Sequence, residues 1–144
     1  DIEWLVEQAA AAYLRAEGLN DILPANIRAG QSAEPIATPY VVCLCPGADA
    51  SVPFEGNWEV VLRIEVHSNA DDTTKEQHHA RNGQVRSKFF GPERDVAADI
   101  SANQDEFTAM FVYPLRVGTE LVERSWVSFL ELRVNCNGSD IDMS

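Results

Sequence analysis

Three features of this 144-residue chain predict an α+β fold, a mixed and mostly antiparallel β-sheet flanked by helices. Residues 57 to 67 alternate apolar and polar with period two. Residues 2 to 17 place apolar side chains three and four apart. Residues 107 to 136 form two strand-like arms around a turn-like run. The element order is helix, strand, long strand, helix, strand, strand. A sheet that is apolar on one face buries that face against helices, and an α+β sandwich is the natural packing.

Each element has its own grounds. In the first helix Ile2, Leu5, Val6, Ala9, Tyr13 and Ala16 line one stripe, between the polar Glu3, Glu7, Gln8 and Arg15. Asp1 suits the N-cap and Gly18 the C-terminal stop, and the Ala9–Ala12 run permits close packing. Trp4 lies off the stripe and is a candidate contact residue. From Leu19 to Pro39, Pro24, Gly30, Pro35 and Pro39 break any period, with a short strand expected around Asn26 to Ala29. Tyr40 to Cys45 is a β-branched and aromatic run closed by Pro46 and Gly47, expected to be buried on both faces. In the long strand Trp58, Val60, Leu62, Ile64 and Val66 face the core, with Glu59, Val61, Arg63, Glu65 and His67 opposite.

A polar loop, Ser68 to Asp72, leads to a capping box at Thr73 and Glu76 and a mostly polar helix ending at Gly91-Pro92. A short helical turn is expected at Arg94 to Ser101. The hairpin arms are Phe107 to Val117 and Leu121 to Cys136, joined through Gly118-Thr119-Glu120, with Pro114 marking a bulge or an edge. Trp126, Leu130, Leu132 and Val134 share a face, so Trp58 and Trp126 are both expected in the core. Residues 1 to 137 are expected to form one domain, and 138 to 144 a frayed tail.

Composition narrows the function. With 45% apolar residues the chain can fill a core. Eleven Lys and Arg against 23 Asp and Glu give a net charge of −12 and a pI near 4.5, which argues against a basic nucleic-acid patch or a polybasic membrane surface. No apolar run is long enough to span a bilayer, and no secretory signal is visible, although a chain beginning at Asp1 suggests a few missing residues. Cys43, Cys45 and Cys136 are an odd count with spacing unsuited to a local disulfide or a zinc site, so reduced thiols in a cytoplasmic setting are expected.

Motifs for nucleophilic catalysis, phosphate loops, dinucleotide binding and zinc proteases are absent from the sequence. His67, Asp71, Asp72 and His78 can be drawn as a metal cluster. A solvated loop at a helix N-terminus accounts for them as well. The pairs Asp71-Asp72 and Asp105-Glu106 read as surface charge rather than catalytic carboxylates. The expectation is no enzymatic activity, no metal and no cofactor: an assembly or binding protein.

Gly56-Asn57-Trp58-Glu59-Val60, running through Leu62, Ile64 and Val66 to His67-Ser68-Asn69-Ala70-Asp71-Asp72-Thr73, resembles the middle of tailed-bacteriophage neck proteins of the tail-terminator or tail-completion type. Arg124-Ser125-Trp126-Val127-Ser128 is similar to their C-terminal hairpin, and the opening helix, Pro-rich loop and short strand to their start. The resemblance implies a homo-oligomeric ring, commonly of six copies, that caps the tail tube and docks it to the head connector. It brings no catalytic residues and implies a place in the virion, with assembly in the host cytoplasm.

The alternatives are a head-completion or stopper protein one layer nearer the portal, and a small metal-dependent hydrolase using His67, His78 and the acidic loop. For a ring, Trp4, Pro24, Arg28 and Pro35 are the candidate contacts between subunits or with the tail. Asp71, Asp72, Glu120 and Glu123 are the candidate channel-facing acids, past which DNA slides without specific binding. Charge repulsion predicts weak association in dilute buffer and ring closure as salt rises.

Overall fold

A computed structural model describes residues 2–30, 37–46, 57–90, 95–102, 104 and 106–138, and the backbone of 51–54. Its elements are α1 (Ile2–Glu17), a 3-10 turn (Pro24–Asn26), β1 (Ile27–Ala29), β2 (Tyr40–Leu44), β3 (Ser51–Phe54), β4 (Asn57–Asn69), α2 (Lys75–Phe90), α3 (Val96–Ser101), β5 (Thr108–Val122) and β6 (Ser125–Asn137). Pro35, Asp105 and the tail from 139 lie outside the described residues.

The six strands make one mixed sheet in the order β1-β2-β4-β6-β5, with β3 pairing the start of β4. β1 runs parallel to β2, and every other pairing is antiparallel. The fold class is α+β, as the sequence predicts.

β4 is the spine. Its thirteen residues alternate half-buried and buried without a break. Register places Trp58, Val60, Leu62, Ile64 and Val66 directly beside Cys136, Val134, Leu132, Leu130 and Ser128 of β6. These side chains share one face with Ile2, Val6, Leu14 and Tyr13 of α1, Val85 and Phe89 of α2, and Ile100 of α3. Burying a side chain of this size is worth about 1.5–3 kcal/mol, so this face dominates the stability. β2 is buried from Val41 to Leu44, as its two-sided apolar run requires.

Helix ends explain themselves in chemical terms. Gly18 takes φ +79, where a Cβ would be strained, and its N–H closes on the Leu14 carbonyl at 3.0 Å. The cap of α2 falls one residue later than the sequence suggests. Thr74 Oγ1 accepts from the Gln77 N–H at 3.2 Å, and Gln77 Oε1 accepts from the Thr74 N–H at 2.9 Å. Glutamine serves the box as well as glutamate does, and Thr73 is instead tucked under Trp126 and Arg81.

The hairpin turn is also displaced. β5 continues through Gly118 to Val122, and the chain reverses at Glu123-Arg124. Gly118 is a strand residue because the ring of Phe129, its partner on β6, occupies the space of a side chain. A Cβ there would stand 2.6 Å from a Phe129 ring carbon. The actual turn puts Glu123 at φ 56, a left-handed conformation that its residue type does not advertise. Pro114 marks both a register shift and the sheet edge.

β3 is absent from the sequence-based expectation, being four residues long with Pro53 inside it. Trp58 is buried. Trp126 is only half-buried, lying over His78 with its indole N–H donating to the Thr73 carbonyl at 3.3 Å.

Candidate functional site

Two surface features stand out against this frame, one along β5 and one beside α1. The first is the β5–β6 hairpin. Met110, Phe111, Tyr113, Leu115, Val117, Leu121 and Val122 are all more than two-fifths exposed on one edge strand. Singly exposed apolar residues are ordinary, but a contiguous series along a strand edge marks a contact surface.

At its tip the hairpin meets the β4–α2 loop. The Ala70 N–H donates to the Arg124 carbonyl at 2.8 Å, and Arg124 Nη1 lies 3.4 Å from Asp71 Oδ2. Asp71 and Asp72 therefore lie at the same end of the sheet as Glu120 and Glu123, and Arg124 contacts Asp71. Asp72 is held by the Thr73 hydroxyl, which donates to its Oδ1 at 2.9 Å.

The second feature is a groove of about 460 Å³ beside α1. Trp4, Leu5, Gln8, Ala9, Ala12 and Arg15, three or four apart, line one flank of the helix, and the small alanines make the concavity. Arg28 and Ala29 of β1, with Gln104 and Glu106 ahead of β5, complete it. Trp4 is half-exposed, and its ring lies against Gly30, where a Cβ would come within 3.2 Å. Arg15 clamps the Ile27 carbonyl through Nε at 2.9 Å and Nη2 at 2.5 Å, and Arg28 Nε donates to the Ala25 carbonyl at 3.0 Å. The structure thus brings Trp4 and Arg28 together. Pro24 sits in the exposed 3-10 turn just before β1 and does not line the groove.

The imagined metal cluster is not assembled. His67 and His78 lie on opposite faces of the sheet. His78 is fully buried between two serines, Nδ1 at 2.8 Å from Ser68 Oγ and Nε2 at 2.8 Å from Ser128 Oγ. Burial above all, helped by the charges of His79, Arg81 and His67, pulls its pKa down to about 4, so it is a neutral structural bridge at pH 7. His67 stacks on Tyr40 with ring centroids 4.4 Å apart, and its Nε2 is 2.9 Å from Glu65 Oε1. Among the described residues no three His, Cys, Asp or Glu side chains converge to hold a metal ion.

Sequence reasoning missed the polar ladder across the sheet's other face. Arg116 of β5 contacts Glu131 of β6 at 2.6 Å; Glu131 contacts Arg63 of β4 at 3.0 Å; Arg63 contacts Glu65 at 2.7 Å. Phe129 lies under Arg63, whose guanidinium is 4.0 Å from the ring centroid. The hydrogen bond from His67, with that from Arg63, holds Glu65 below the usual carboxylate range despite its burial. The polar positions of β4 were legible, but their partners depend on register. All three cysteines are free thiols. Burial pushes Cys43 and Cys136 up to about 12 and Cys45 up as well, which leaves them inert near neutrality.

No protein-family profile matches the sequence, and no curated protein matches it by sequence. Solved structures do match by fold. This chain is similar to a virion protein chain. That chain comes from the virion of a native gene transfer agent particle, with a TM-score of 0.59 over 96% of this chain and 100% of that one. Identity is 15%, so the likeness is one of fold, and it runs from end to end of both chains.

Proposed function

We propose that this chain is a structural virion protein of a phage neck, a ring-forming tail terminator that caps the tail tube and joins it to the head connector. The observation that carries this reading is the end-to-end fold likeness to a chain of a phage-like particle. The exposed apolar edge of β5 supports it, because such an edge is stabilised by a partner rather than by water. No enzymatic role is proposed, since the histidines and carboxylates are engaged in the fold or spread over the surface. A head-completion or stopper protein, one layer nearer the portal, is the second reading and rests on the same fold.

In a ring, the end of the sheet bearing Asp71 and Asp72 faces the channel. Carboxylates there repel DNA phosphates, so DNA slides past the wall without being held. A charge of −12 per copy opposes closure in dilute buffer, and salt screens that repulsion. Light scattering across a salt series tests the reading. The expected result is a monomer or weak oligomer at low salt and a closed ring at high salt or on added tail tubes. A chain that stays monomeric under every condition, tubes included, overturns it.

A further inference from the structure

We propose that the acidic apolar tip of the β5–β6 hairpin seats in the α1 groove of a second copy of this chain, so that each subunit binds the next head to tail. This deepens the ring reading and rests on it.

The chemistry of the two surfaces is complementary, and ion pairs buried in such a contact are screened by salt much less than the exposed repulsion between copies. The tip presents Glu120, Leu121, Val122 and Glu123, all exposed. The groove offers apolar walls in Trp4, Leu5 and Ala9 and two cations, Arg15 and Arg28, against one acid, Glu106. The nearby Glu7 carboxylate is turned to the Cys45 N–H, which donates to it at 3.1 Å.

The two arginines differ from the five described cations that pair with carboxylates, as does Arg81, which bonds the Ser68 and Thr73 hydroxyls. Arg63, Arg116, Arg124, Arg133 and Lys88 each lie within 4 Å of a carboxylate. Arg15 and Arg28 bond only backbone carbonyls, and among the described residues neither is paired with an acid. In a protein with 23 acids and 11 bases, two cations left without carboxylates beside an apolar concavity are suited to an incoming acidic segment.

Geometry makes the contact intermolecular. Glu106 of the groove lies just before the first residue of β5, and the tip takes in its last three residues and Glu123. The fifteen residues of β5 span roughly 45 Å at about 3.2 Å each, and β5 is hydrogen-bonded to β6 along its length. The hairpin therefore cannot fold back into its own groove. Tip and groove are different surfaces, so the contact is heterologous. A rotation that closes gives a ring, and one that does not gives a filament. The arrangement takes Glu120 and Glu123 out of the channel and leaves Asp71 and Asp72, which lie beside the tip, at the channel-side rim of the contact.

Two charge-reversed proteins test this: E120K/E123K, with a basic tip, and R28E, with an acidic groove. All three positions are exposed, and thermal melts check that both proteins fold. Under conditions where the unaltered chain forms rings, each variant alone is expected to associate at least tenfold more weakly. An equal mixture is expected to recover most of the assembly, because basic tips then meet acidic grooves and acidic tips meet basic grooves. Leu121→Ser provides an uncharged check and is expected to weaken association without lowering the melting temperature. Variants that assemble like the unaltered chain, or a mixture no better than its components, overturn the tip-in-groove contact while leaving the ring standing. An unaltered chain that never assembles overturns both.

Discussion

β4 and β5 are neighbours of the same strand, β6, yet one is sheathed and the other bare. β4 alternates buried and half-buried for its whole length, with α1 and α2 over its apolar face. β5 carries comparable apolar residues, but only Ala109 is buried and Val112 half-buried. The difference lies in coverage, not in strand chemistry. α3 is six residues long and reaches only the start of β5, and nothing among the described residues covers the rest. Apolar content in β4 is explained by the fold, whereas in β5 the proposed assembly would explain it.

The largest expected effect comes from the sheathed strand. Trp58→Ala should cost about 3–5 kcal/mol in urea unfolding, since it opens a cavity in the core cluster. Equal stability would mean that this face is not the core. The second is a pH effect centred on the serine-bound histidine. His78 is held near 4 when folded and returns toward 6.5 when unfolded, so the unfolded state binds the extra proton between those values. Stability is complete above about 6.5 and falls as pH drops toward 4, by up to about 3 kcal/mol at 1.36 kcal/mol per unit. Unfolding curves at pH 7 and pH 4.5 measure it, and His78→Gln should flatten the slope.

A smaller effect is expected where the two strands' environments meet at β6. Gly118→Ala drives a methyl into the Phe129 ring, which Arg63 and Arg116 hold from nearby, and should cost about 1 kcal/mol. Combined with Phe129→Leu the two changes should be non-additive, because the ring is then gone. The smallest effect belongs to the bare strand. Tyr113→Ser and Leu121→Ser should shift monomer stability by no more than about 0.5 kcal/mol, with any loss appearing in assembly instead. A large destabilisation by either would show that β5 is sheathed after all.

Most of the fold was legible in the sequence where periodicity is local. α1, β4 and the sidedness of β6 follow from apolar spacing and β2 from its β-branched run, and the fold class follows from the element order. What was illegible depends on contacts between distant residues. Gly118 reads as a turn residue until Phe129 is placed across from it. Trp126 reads as core until the sheet's end brings it half into solvent beside Thr73. The site divides in the same way. Trp4 was visible as an apolar residue off the helical stripe, but its meeting with Arg28 required β1 to lie alongside α1. The acids Asp71 and Glu123 are 52 positions apart, and only the register of β4 on β6 joins their loops.

The bulged edge of β5 has a consequence for life before assembly. Register shifts interrupt its pairing at Ala109/Phe111 and Pro114/Arg116, and Pro114 has no N–H to offer. An unbroken row of donors and acceptors on an apolar strand would template growth by an identical strand without end. Here the row is broken twice within fifteen residues, which disfavours endless growth by strand addition. Strand-on-strand stacking is disfavoured by the backbone itself, and in the proposed assembly the stretch past the second break, Arg116 to Val122, is what remains for a partner of the right shape.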